Sequence, residues 1–115
     1  MKYVFLLCNT RDDLQAWEGM PEETRNAIYG RINQWFAENQ SVITGGYELQ
    51  PPSTATTLQF SGNGAPMVTD GPYVEANEIV GGYAEVELPD LDAALRLAKT
   101  WPGGGLVEIR PVVTR

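Results

Sequence analysis

The chain has 115 residues, close to the commonest length for one domain, and is 43% hydrophobic, 20% charged and 10% aromatic, the make-up of an ordinary globular protein. Eight basic against fifteen acidic residues give a formal charge of -7. Such a surface repels phosphate backbones and anionic lipid headgroups, which argues against nucleic acid or membrane as the main partner. A single cysteine forms no internal disulfide, and the lack of histidine removes Ser-His and Cys-His nucleophilic catalysis, imidazole acid/base chemistry and most zinc sites.

Tyr3 to Cys8 is apolar on both faces and predicts a central strand; it is too short to span a membrane, so a cytoplasmic protein is expected. Cys8 closes this run, where a free thiol packs as a small hydrophobe. A polar link with Trp17 and Gly19 comes next. Pro21-Glu22-Glu23 then marks a helix start, and Ile28, Ile32, Trp35 and Phe36 place an apolar stripe on one helix face. Val42 to Leu49 predicts a strand bent at Gly45-Gly46, and Pro51-Pro52 ends it. Thr54 to Phe60 and Pro66 to Thr69 flank Gly62-Asn63-Gly64 and predict a hairpin.

Ile79 to Leu88 alternates, with Tyr83, Glu85 and Glu87 on one face and Ala84, Val86 and Leu88 on the other. Asp90 caps a helix whose stripe runs Leu91, Ala94, Leu95, Ala98 and Trp101 until Pro102 to Gly105 ends it. Leu106 to Val112 is the last strand. One domain over residues 1–115 is expected, of class α+β: a ferredoxin-like sandwich, βαββαβ with an inserted β-hairpin.

The segment Thr69-Asp70-Gly71-Pro72-Tyr73-Val74-Glu75-Ala76-Asn77-Glu78, with Gly81-Gly82-Tyr83 after it, resembles the signature of the DGPF domain, a branch of the YCII-related family. Met1-Lys2-Tyr3, Leu49-Gln50-Pro51-Pro52, Asp90-Leu91-Asp92-Ala93-Ala94 and Val107-Glu108-Ile109-Arg110-Pro111-Val112 fit as well, so the likeness covers nearly the whole chain. It implies a bacterial homodimer of the dimeric α+β barrel type, with two sheets facing each other across a cleft. It also implies association with extracytoplasmic-function (ECF) sigma factors. A His-Asp pair attributed to some YCII relatives does not carry over to a chain without histidine. Tyr73 replaces the usual Phe, Ala76-Asn77 the usual Thr-Lys, Tyr47-Glu48 stands where Glu-Gly is common, and Glu85 stands at an expected apolar position.

Asp70 is the candidate catalytic group, a carboxylate before Gly-Pro that can serve as general base or orient a hydroxylated ligand. The same tripeptide is also turn chemistry, with Gly71 free to adopt positive φ and Pro72 fixing the exit. Glu75 and Glu78 can join Asp70 in an acid cluster or form a solvated acidic loop. Tyr83, Glu85, Glu108 and Arg110 are expected on the sheet face without helices, where a carboxylate or phenol faces Arg110, or Arg110 binds an anionic ligand group. Tyr83, Arg110, Glu85, Tyr73 and Glu75 are thus the candidate ligand-binding set. Gly81-Gly82 and Gly103-Gly104-Gly105 fit no phosphate-binding fingerprint, and no EF-hand spacing or dense carboxylate cluster is visible; neither cofactor nor metal is implied.

Three functional classes survive: a small carboxylate acid/base enzyme, a non-catalytic small-molecule binder, and a regulatory or protein-interaction module. A homodimer is expected from one uncovered sheet face.

Overall fold

The apolar run at the amino end becomes the inner strand β1 (Lys2–Thr10). The computed structural model describes residues 1–73 and 77–115. After β1 come helices α1 (Arg11–Glu18) and α2 (Glu22–Glu38), strand β2 (Ile43–Glu48) and a 3-10 turn at Pro52–Thr54. Strands β3 (Thr56–Gln59), β4 (Met67–Asp70) and β5 (Glu78–Glu87), helix α3 (Leu91–Ala98) and strand β6 (Leu106–Pro111) complete the chain. The class is α+β. The main sheet has the order β2-β5-β1-β6 with every pairing antiparallel, and β3 and β4 form a separate antiparallel ribbon.

Helix α1 corrects the expectation of a polar link between the first strand and Gly19. Thr10 caps it reciprocally: its hydroxyl accepts from the Asp13 backbone N–H, and its own N–H donates to the Asp13 carboxylate. Asp12 and Asp13 in the first turn complement the helix dipole. No residue of α1 is buried, so hydrophobic periodicity carries little signal there. Helix α2 begins one residue after Pro21, which sits at the cap in an extended conformation. Helix α3 ends at Ala98, short of Trp101, and its first turn is capped by Asp90 accepting from the Ala93 N–H at 2.9 Å.

One face of the main sheet is the core. Tyr3, Phe5 and Leu7 of β1, Ala84 and Val86 of β5, Trp35 of α2 and Ala94 of α3 are buried together. Phe5 and Val86 are fully buried, each contributing about 1.5–3 kcal/mol of hydrophobic stabilisation. Trp35 packs edge-on against Phe36 and Trp101, with ring centroids 5.1 Å away in each case. Its indole N–H donates to the Thr100 hydroxyl at 2.8 Å, which in turn donates to the Leu97 carbonyl, so burying the indole leaves no donor unpaired. The α2 stripe reaches the core through Trp35 and Phe36 and the α3 stripe through Ala94, Ala98 and Trp101; Leu91 and Leu95, expected in the same stripe, are instead 52% and 40% exposed, and Leu97 packs against the core in their place.

Candidate functional site

Alternation along the strands decides what the other sheet face carries. Because directly paired residues point the same way, the register places Gly45, Glu85, Val4 and Arg110 in one cross-sheet row, in that order. The next row is Tyr47, Tyr83, Leu6 and Glu108. Beyond a register shift at Leu7/Cys8 lies a third row, Val80, Cys8 and Leu106. No helix stripe belongs to this face. It has an apolar middle, Val4 and Leu6, bounded by phenols and an acid on the β5 side and by Glu108 and Arg110 on β6.

Tyr47 and Tyr83 meet edge to face with centroids 6.2 Å apart. The Glu85 side chain leans over Gly45, away from β6: a Cβ on Gly45 would lie 2.5 Å from Glu85 Oε2. Of the carboxylates expected on this face, Glu85 is thus not the one that meets Arg110. Its charge partner is Glu108 on its own strand, at 3.9 Å, with side chains 70% and 60% exposed. A pair that long and that wet contributes at most about 1 kcal/mol, so the guanidinium can be drawn to another anion at little cost.

Cys8 is buried on this face, and its thiol donates weakly to the Leu6 carbonyl at 3.6 Å. Burial pushes the thiol above its ordinary value of 9.0, and the charges of Glu108 and Glu78 push the same way. The shift favours the neutral thiol over the thiolate. On the opposite face, burial and the Glu48 carboxylate beside it raise the Tyr29 phenol.

Asp70 and Tyr73 sit elsewhere. Asp70 ends β4, opposite Thr56, and is exposed; its carboxylate accepts no hydrogen bond from a described residue. Gly71, with φ of +99°, makes the turn: its N–H donates to the Ala55 carbonyl at 2.6 Å and its carbonyl accepts from the Thr57 hydroxyl at 2.7 Å. Tyr73 lines an open cleft of 440 Å³ between the ribbon root and the start of β5, with Leu49, Pro51, Pro72, Glu78 and Val80. Glu75 lies outside the described residues, and with it the proposed Asp70–Glu75–Glu78 grouping.

The chain matches the YCII-related domain model over residues 1–114. The chain belongs to the YCII-related family. It is also 28% identical over 116 residues to an uncharacterised protein of Rhizobium meliloti (strain 1021), covering 97% of this chain and 92% of that one. The resemblance read from the DGPF-like segment is thus borne out at the level of the family.

Within this YCII-related chain, three candidates from the sequence, Tyr83, Glu85 and Arg110, share one sheet face. Asp70 is on the ribbon and Tyr73 in the cleft at its root. Sequence reasoning missed Tyr47, whose phenol joins Tyr83, because the register between β2 and β5 passes through a shift between Ile43 and Gly45. The twin glycines were the available signal, since a strand that bends there re-aims the side chains beyond the bend. Among the described residues no helix is long and apolar enough to cross a membrane.

Proposed function

We propose that two copies of this domain, each a ferredoxin-like sandwich, pack with their open sheet faces opposed to form a dimeric α+β barrel, and that a small organic molecule bearing an anionic group binds between the sheets. The observation that carries this reading is the open face itself: Val4 and Leu6 offer an apolar floor, Tyr47 and Tyr83 offer aromatic edges and hydroxyls, and Arg110 offers a cation that, among the described residues, an exposed 3.9 Å contact engages. Polar groups placed on such a face cost stability once covered unless a partner or ligand satisfies them.

The area favours a second copy as the cover. The chain exposes 8294 Å², whereas a compact monomer of 12.6 kDa exposes about 6,200 Å². The excess, about 2,000 Å² per chain, is of the size that obligate dimers bury.

In this reading Tyr83 and Arg110 position the ligand, Glu85 limits what fits beside it, Tyr73 contributes from the ribbon root, and Glu75 joins the set as a sequence candidate. Asp70 supplies carboxylate acid/base chemistry if the protein is an enzyme. The test is an amide NMR screen of the dimer against pooled small carboxylic acids, run in parallel with Arg110→Gln and Asp70→Asn. Shifts around Val4, Leu6, Tyr83 and Arg110 that weaken in Arg110→Gln support the cleft. Absence of shifts from every pool contradicts it and favours the alternative, a regulatory module associated with an ECF sigma factor, which rests on the family resemblance alone. Turnover lost in Asp70→Asn would make the protein an enzyme.

A further inference from the structure

The β3–β4 ribbon is not a surface hairpin of the ordinary kind. Leu58 pairs directly with Val68 on one ribbon face, and Phe60 follows just past the end of β3. Leu58 is 50%, Val68 65% and Phe60 75% exposed, and Met67 on the other face is 63% exposed. No residue of either strand is buried. A two-stranded ribbon is marginal alone, and an uncovered apolar edge invites pairing with other chains.

Its direction is set by the dimensions of the molecule. The chain measures 47 × 45 × 18 Å. A thickness of 18 Å is that of one sheet and one helix layer, so the ribbon cannot lie as a third layer on its own open sheet face; it extends sideways. The radius of gyration, 16.2 Å, exceeds the about 13 Å of a compact chain of this length.

The sheet face alone also falls short of the surplus surface. Four strands of 9, 6, 10 and 6 residues, about 4.8 Å apart, span roughly 500 Å² of plane, and roughly 1,000 Å² allowing for side-chain relief, against an excess of about 2,000 Å². We infer that the ribbon is an arm that crosses to the second copy and lays Leu58, Phe60 and Val68 against the partner's body, each subunit clasping the other. This rests on the dimer proposed above and extends it: the arm is a second contact, continuous with the sheet interface and symmetric with its counterpart.

Two measurements on the full chain test it. The first compares dimer dissociation of the wild type and of Leu58→Thr/Phe60→Ser/Val68→Thr by sedimentation. An arm contact predicts a dissociation constant raised at least tenfold with an unchanged far-ultraviolet spectrum; an unchanged constant overturns the arm and leaves the sheet dimer standing. The second covers the case in which the triple variant does not fold. Subunits carrying a nitroxide on Phe60→Cys, in a Cys8→Ala background, are mixed with spin-free 15N-labelled subunits. Broadening of labelled amides shows the arm on the partner. No broadening, in a sample that sediments as a dimer, overturns the arm alone, while a monomer overturns both arm and sheet dimer.

Discussion

Glu85 lays its carboxylate over Gly45 on the neighbouring strand, where a Cβ would stand 2.5 Å from Oε2. The contact is with the far end of a flexible side chain, so it is easily displaced. Gly46 is different. Its φ of +146° and the Tyr83 backbone carbonyl beside it leave no room for a side chain. Gly45→Ala is therefore expected to cost less than about 1 kcal/mol and Gly46→Ala about 1–3 kcal/mol. Urea unfolding of the two variants checks the order; equal costs would mean the strand bend is not fixed by Gly46.

Asp70 and Gly71 separate the two readings of the Asp-Gly-Pro segment. The glycine makes the turn, and the aspartate carboxylate accepts from no described residue. Asp70→Asn should leave stability within about 0.5 kcal/mol, whereas Gly71→Ala, forced to φ +99°, should lose about 1–3 kcal/mol. A large loss in Asp70→Asn would make the carboxylate a structural group and remove it from the functional proposal.

The aromatic corner gives a third test. Thr100→Ala leaves the buried Trp35 indole N–H without its acceptor and is expected to cost about 1–3 kcal/mol. Trp35→Ala should cost about 3–5 kcal/mol, since the residue is only 4% exposed. Thermal or denaturant unfolding measures both.

Cys8 makes stability depend on pH at the alkaline end. Its folded pKa is raised, so above its ordinary value of 9.0 the unfolded chain loses a proton that the folded chain keeps. The contribution is fully present below that pH and is lost as pH rises towards the folded pKa. Tyr29, raised by burial and by Glu48, adds a similar loss above its ordinary 10.0. Cys8→Ala should flatten the earlier part of the decline in unfolding experiments between pH 8 and 10 and leave the later part. An identical decline in the variant would contradict the assignment.

Much of this structure is legible in the residues. Strict alternation in β5 separates Tyr83 and Glu85 from Ala84 and Val86, and Trp35 and Ala94 within the helix stripes mark the core. What escapes is of two kinds. Helix α1 is held by a reciprocal cap between Thr10 and Asp13 and buries nothing, so hydropathy is silent while capping chemistry is not. The place of Tyr47 depends on the register between β2 and β5 and on its shift between Ile43 and Gly45, which no local pattern specifies. The alternation puts Glu85 and Arg110 on one face, but only the pairing reveals Val4 between them.

Sedimentation velocity at micromolar concentration tests the paired sheet faces most directly. A species of about twice the 12.6 kDa chain mass, weakened by Leu6→Lys on the open face, is the predicted result. A clean monomer at that concentration, or a dimer indifferent to Leu6→Lys, would contradict it.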